Sequence, residues 1–270
     1  MAFTTLQSVV DALPGREQKF FKPTGGVAIA SGSFAGLWGT TGEPAAGANP
    51  SSGLAGDIPT KATTGAIPFS NPASGYTYLG RLEVSLMNAP SILGGTLMVY
   101  DRLWQHSGIV VTTTGAQTVN SVALDRPDAN GDDAELWLHV YSATGAGAAT
   151  PTVSYTNPAG TAGQTATCIG YTASAAQFRC FPFQLASGDT GVKSIQSITL
   201  GTSLTSGTVG LVLRRKVAQV PIPAAGTKAI YDAIALGLPR VYDNACLEFV
   251  LHLSGTTTNY PVGSLNLING

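Results

Sequence analysis

Tyr76-Thr-Tyr-Leu-Gly-Arg-Leu-Glu-Val-Ser-Leu-Met87 decides the fold class. Leu82, Val84 and Leu86 alternate with Arg81, Glu83 and Ser85, the period of two expected of a strand with one face buried. Further strands are predicted over 96–104, 109–114, 118–124, 135–142, 152–156, 165–171, 178–186, 194–200 and 208–217. They are short, evenly spaced and separated by Gly, Pro, Asn and Asp, with Asn130-Gly131 the strongest tight-turn signal. This pattern predicts an antiparallel sandwich or barrel. After Pro221 and Pro223 a helix is expected over 227–236, carrying Ala229, Ile230, Ala233 and Ile234 and capped by Gly237. Strands at 247–254 and 264–268 then complete the same domain.

N-terminal to this region the character is different. Residues 35–75 hold eight glycines, five prolines and three charges, Glu43, Asp57 and Lys61, with no sustained helical or strand period. A stretch this long without its own structure is either disordered or functional. Disordered segments are usually charged and poor in large apolar groups. This one places Leu37, Trp38, Leu54, Ile58, Ile67 and Phe69 at intervals along an almost uncharged chain. It therefore reads as an extended arm, able to reach about 130 Å at roughly 3.3 Å per residue, with Trp38, Leu54, Ile58, Ile67 and Phe69 as anchors in a neighbour's groove. Ahead of it, Thr4 or Thr5 can cap a short helix bearing Leu6, Val9, Val10 and Leu13 and ending at Pro14-Gly15. Arg16 to Lys22 forms a basic-aromatic patch. The expected organisation is a helix and arm over 1–75 and a β-domain over 76–270, whose C-terminal segment is 218–270.

Composition narrows the function. Charged residues make up 11% of the 270 and the net charge is −1, against about 25% charged in ordinary soluble domains. No global field favours nucleic acid or an anionic membrane, and a near-neutral surface favours association with other subunits. No stretch approaches the ~20 apolar residues of a membrane span. Met1 to Lys19 lacks a basic start followed by an apolar run, so a signal peptide is not expected there. Cys168, Cys180 and Cys246 are odd in number and lack metal-ligand spacing. They read as small apolar fillers, made in a reducing compartment.

Chemistry is sparse. Neither a nucleophile elbow nor a phosphate-binding glycine loop occurs, and Gly145 and Gly147 belong to a hairpin loop that runs into Pro151. Trp137, His139 and Tyr141 share one strand face opposite Leu136, Leu138 and Val140, which offers an aromatic platform for a glycan; the competing reading of His139 is a polar group packed at an interface or a sheet margin. Asp128, Asn130 and Asp132 place oxygen ligands at alternating positions, as a hard cation such as calcium requires, but the EF-hand spacing fails. The competing reading is a solvated acidic hairpin loop. His106, next to Ser107, and His252 lack catalytic context. Arg16, Lys19 and Lys22, and Arg214-Arg215-Lys216, could touch phosphates or equally form ion pairs with a neighbouring subunit. No cofactor is expected.

Four phrases together resemble virion structural proteins of tailed bacteriophages: Val99-Tyr-Asp-Arg-Leu-Trp104, Glu135-Leu-Trp-Leu-His-Val-Tyr141, Ser154-Tyr-Thr-Asn-Pro158 through Gly160-Thr-Ala-Gly-Gln-Thr165, and Gly188-Asp-Thr-Gly-Val-Lys-Ser194. The resemblance spans about 76–217 and rests on short phrases, not on a catalytic motif. It implies a β-sandwich or jelly-roll-like domain in a capsid decoration, cement or minor capsid protein. The implied partners are other capsid subunits, the major capsid protein among them, and further copies of the chain in a closed oligomer such as a trimer. The implied location is the virion, after synthesis in the host cytoplasm. Tail or neck component and carbohydrate-binding adhesin are the alternatives.

Overall fold

The computed structural model describes residues 3–22, 32–87, 93–224, 226–253 and 260–270. Residues 23–31 of the expected helix and arm over 1–75, and Ser254 of the predicted 247–254 strand, lie outside them. The strands are β1 (Arg16–Phe21), β2 (Phe34–Gly36), β3 (Thr77–Met87), β4 (Leu93–Gln105), β5 (Ala116–Thr118), β6 (Ala134–Ser142), β7 (Thr152–Thr156), β8 (Gln164–Cys168), β9 (Arg179–Gln184), β10 (Ser194–Thr199), β11 (Thr208–Ala224), β12 (Ala229–Asp232), β13 (Arg240–Val241), β14 (Leu247–Leu253) and β15 (Tyr260–Asn269). Two helices, α1 (Leu6–Ala12) and α2 (Ala233–Leu236), accompany them. The chain is mainly β, and its strand pairings are antiparallel.

One sheet has the order β1-β15-β3-β12, with β13 beside β3. The other begins β2-β14-β4-β11-β6-β9 and continues through β8, β7, β10 and β5. Because β2 hydrogen-bonds both β14 and β9, its first six strands close into a barrel. Closure removes the open edges that would invite further pairing.

The barrel wall is apolar on its outside. Leu136, Leu138, Val140, Leu211, Leu213 and Phe181 pack against Val153, Tyr155, Ala166, Ile195 and Ile198 of the β7–β8–β10 extension. On the other side, Leu97, Val99, Leu247, Phe249 and Leu251 pack against Leu79, Leu82, Val84, Leu86, Leu265 and Phe20 of the five-stranded sheet. Each such buried side chain contributes roughly 1.5–3 kcal/mol. The alternating strands therefore direct their apolar faces outward, into two flanking cores, and their mixed faces inward, where Met98, Tyr100, Trp137, Cys180 and Val250 pack together beside the charged side chains.

Several sequence expectations change. Residues 227–236 do not form one helix. Ala229–Asp232 pairs with Arg81–Val84 as a strand, and only the turn from Ala233 is helical. Asp232 caps that turn by accepting from the Ile234 and Ala235 amides, and Gly237 ends it at φ 70°. Pairing with β3 overrides the local helical pattern. The predicted strand at 109–114 is a turn, in which the Gln117 side chain bonds both the amide and the carbonyl of Val110. Of the predicted 118–124 strand only Thr118 is in a strand, the end of β5. Arg16–Phe21, read as a basic patch, is an edge strand paired to β15. α1 forms with Thr5 as its cap, but Val9 alone of its stripe is buried.

The stretch over 35–75 is not a projecting arm within this structure. The chain exposes 10678 Å², close to the roughly 11,000 Å² expected of a compact monomer of 27.6 kDa. β2 is a barrel stave, and the segment after it lies on the domain as a strap. Its backbone finds partners there: Leu37 N donates to Phe249 O at 2.9 Å, Asp57 and Gln105 exchange bonds at 3.0 Å, and Ile67 N donates to Leu247 O at 3.0 Å. An uncharged segment buried in this way must have its amides and carbonyls satisfied, and the barrel wall satisfies them. The sequence reading placed a domain boundary after residue 75. Strands from both sides of that boundary share the same sheets.

Candidate functional site

The densest group of ionisable side chains lies inside the barrel. Arg102 from β4, Arg214 from β11 and Glu248 from β14 are no more than 2% exposed. Arg102 donates from Nη1 to Glu248 Oε2 at 2.9 Å, from Nη2 to the Tyr141 hydroxyl at 2.9 Å and from Nε to Gln105 Oε1 at 2.6 Å. Its guanidinium also lies 4.6 Å from the Trp38 ring centroid. Arg214 Nη1 is 3.5 Å from Glu248 Oε1, and its guanidinium stacks near Trp137 and Tyr100 at 4.9 and 5.3 Å. One carboxylate thus serves two guanidinium groups in a low-dielectric interior, and aromatic faces supply the remaining stabilisation.

His139 sits in the same interior, fully buried and stacked 4.7 Å from Tyr141. Burial first, then Arg102 and Arg214, holds its imidazole pKa well below the ordinary value. The Tyr141 hydroxyl is pushed up to about 12, chiefly by burial. Gly36 of β2 faces these groups: a Cβ there would fall 2.8 Å from both Cys180 Sγ and His139 Cε1. The glycine lets the closing strand approach the polar interior.

Trp137, His139 and Tyr141 share one face, as the sequence indicates, but that face lines the barrel. They are 3%, 0% and 4% exposed, so they do not form an open platform for a glycan. Closure of the barrel is the physical reason. At its mouth, Phe34, Thr96, Trp137, Lys216, Gln219 and His252 line a hollow of about 360 Å³. There Glu135 accepts from the Tyr100 hydroxyl at 2.9 Å and from Trp137 Nε1 at 3.0 Å, and pairs with Lys216 at 3.2 Å. Of the basic run 214–216, Arg214 is therefore buried and Lys216 is engaged. The interior group locks staves together and presents no nucleophile or acid–base pair to solvent.

Asp128, Asn130 and Asp132 lie in a turn, with Asp132 bridged through its backbone to Gly191. The Asp128 carboxylate accepts from the Asn130 amide at 2.8 Å, closing a local turn. Among the described residues no group of three or more His, Cys, Asp or Glu side chains could hold a metal ion.

Of the expected anchors, Trp38 and Ile67 are 2% and 1% exposed and fill the chain's own interior. The Trp38 ring lies over Arg102, and its Nε1 donates to Ala48 O at 3.0 Å. Gly47 lies so close that a Cβ would come within 2.3 Å of the indole. Ile58 and Phe69 are partly buried against the two flanking cores. Leu54 is 56% exposed and is the one of the five with most of its surface free. A second pair, Asp101 and Arg126, pins the strap: Arg126 Nε bonds both Asp101 carboxylate oxygens at 3.1 Å, and Nη2 donates to Pro59 O at 2.6 Å.

Sequence reasoning missed Arg102, Glu248 and Arg126 as structural groups. The available signal was that Glu248 is the one acidic or basic side chain apart from His252 in the apolar run Leu247–Leu253; Arg102, next to the charged Asp101, carried no such signal. The three cysteines are buried and free, as small fillers would be.

Lys22, expected to touch phosphates or equally to pair with a neighbouring subunit, is 1% exposed. Its ammonium donates to the carbonyls of Thr40 and Pro44. Burial lowers its pKa to about 8, opposed by Glu43, whereas an unfolded lysine titrates near 10.4. The folded state thus holds this proton less tightly, so the penalty is full below pH 8 and disappears as pH rises towards 10.5. Wild type is expected to gain stability over that window relative to Lys22→Met, measured by urea midpoints. A falling or flat difference would contradict this account.

No family model matches the chain. No curated protein matches it either. Among solved structures it aligns with the crystal structure of the infectious bursal disease virus VP2 subviral particle at 11% identity, covering 96% of this chain and 82% of that one, with a TM-score of 0.18. A structure of the Gt strain of the same virus gives 11% identity, 94% and 81% coverage and a TM-score of 0.16. Scores this low do not establish a shared fold.

Proposed function

We propose that the chain is a non-enzymatic structural subunit of a bacteriophage particle, binding and stabilising the capsid through contacts with other subunits. The observation that supports this reading is a surface short of charge: some of the few charged side chains are buried while several large apolar ones are exposed. Of 29 charged residues (14 Lys and Arg, 15 Asp and Glu), Lys22, Asp101, Arg102, Arg126, Arg214 and Glu248 are buried. Meanwhile Leu6, Val10, Phe21, Leu54, Met87, Ile230 and Ile234 remain exposed. A surface poor in charge and dotted with large apolar groups suits permanent contact with neighbours. The strap, with Leu54 at its surface, is one contact to the shell, and the resemblance of four short phrases to phage virion proteins points the same way.

The purified chain is expected to bind capsid shells and to remain with them through a density gradient, and Leu54→Glu is expected to weaken that retention. Folded wild-type protein that never co-migrates with particles would sink the proposal.

A further inference from the structure

His139 sits where only a neutral imidazole fits. β6 carries it opposite Gly210 of β11 and Cys180 of β9, and it has no exposed surface. Neither ring nitrogen has a hydrogen-bond partner among the described residues. The groups around it are cationic or neutral. Arg102 of β4 and Arg214 of β11 both disfavour a further positive charge there. Tyr141 is stacked on the ring and Cys180 is a thiol, and burial keeps both protonated. Glu248 of β14 is already shared by Arg102 and Arg214 at 2.9 and 3.5 Å. Two further carboxylates are engaged elsewhere: Asp57 meets this group only through Gln105, and Glu135 is held at the mouth by Tyr100, Trp137 and Lys216. A proton on His139 would set three buried cations against one anion, and such a charge is tolerated only with water.

The fold gives that water one short way in. β2 has three residues, whereas the other five staves run from 6 to 17. It pairs with β14 over three residues and with β9 over two. It is also the stave that lies against the imidazole, because a Cβ on Gly36 would stand 2.8 Å from His139 Cε1 and 3.2 Å from Nε2. Releasing β2 therefore gives up few backbone bonds, while β4, β11 and β6 hold one another along much longer ladders. The strap follows β2 directly, and its Trp38 covers Arg102 and packs on Cys246. We propose that His139 makes the barrel an acid-sensitive closure, in which protonation releases β2 and lifts the strap behind it while the rest of the domain stays folded. The device belongs to the isolated chain and needs no particle to operate.

Released, His139 titrates near 6.5, and enclosed it binds a proton far less readily. Closure is therefore complete above about pH 6.5 and is lost as pH falls below it, the open population growing by up to about tenfold per pH unit. His106 is placed differently. It stacks on Trp104, and Asp57 opposes the effect of its burial.

The three native cysteines report the opening separately. Cys180 lies beside Gly36, Cys246 packs with Trp38, and Cys168 belongs to a flanking core. The test is labelling of the full chain with a dipyridyl disulfide, read site by site by peptide mass spectrometry and normalised to free cysteine at each pH. Over the unit of pH below about 6.5, Cys180 and Cys246 are expected to gain reactivity by up to about tenfold, with Cys168 protected throughout. His139→Gln and His139→Phe are expected to flatten that rise, and His106→Gln to keep it. Equal gains at all three cysteines would mean global unfolding and overturn the proposal. So would no gain at Cys180, a gain that persists in both His139 variants, or one abolished by His106→Gln. Should neither His139 variant fold at neutral pH, the pattern of reactive cysteines in wild type decides alone.

Discussion

Glu248→Ala is expected to destabilise the protein by about 3–5 kcal/mol, because it leaves two guanidinium groups buried without their carboxylate. Arg102 would lose the 2.9 Å bond to Oε2 and Arg214 its nearest anion at 3.5 Å. Neither can move to water, since both are fully buried. Urea unfolding at neutral pH reads the loss directly. The double variant Arg214→Met with Glu248→Gln is expected to be milder than Glu248→Ala alone. It removes one buried charge of each sign while keeping an acceptor for Arg102, so the two sites should couple strongly. Additive effects, or a Glu248→Ala loss below about 1 kcal/mol, the scale of exposed ion pairs, would show that the interior group does not hold the barrel.

Deletion of residues 2–75 is expected to abolish folding, not to release an autonomous β-domain. The truncation removes β1 and β2, and with β2 the stave that joins β14 to β9. It also removes Phe20, Leu37, Trp38 and Ile67, each no more than 2% exposed. At roughly 1.5–3 kcal/mol for each large side chain, the loss is on the order of ten kcal/mol, comparable with the whole stability of a typical domain. Trp38 further lies on Arg102, so its loss opens one end of the polar interior. Circular dichroism and thermal unfolding of the 76–270 fragment check this. A cooperative transition in that fragment would restore the picture of an arm hung on an independent domain.

Strand faces were legible in the sequence, and their partners were not. The alternation in Arg81–Leu86 and Glu135–Tyr141 showed which residues share a face, and the structure keeps those faces together. It could not show what each face meets. A polar strand face is normally read as solvated, but the face of Glu135, Trp137, His139 and Tyr141 turns into a closed barrel. Residues 35–75 posed the converse problem. Their uncharged, apolar-dotted composition signalled burial, and Trp38 and Ile67 are buried. The burial partner could not be read, because a groove on a neighbour and a groove on the same chain call for the same side chains. Likewise, Ala229–Asp232 has a helical apolar pattern, and only hydrogen bonding with β3 makes it a strand.

By itself, then, the sequence determined a mainly β, antiparallel protein, sparse in charge and without a recognisable catalytic motif. Those properties are local or compositional: strand period, turn residues and charge count need no knowledge of distant contacts. Only the tertiary structure decided that six strands close on a polar interior, that two arginines share one glutamate there, and that the strap completes its own domain. Each depends on pairings between residues far apart in the chain, such as Phe34 with Cys180 or Arg102 with Glu248. Their energies arise from burial and closure, which no stretch of residues contains alone.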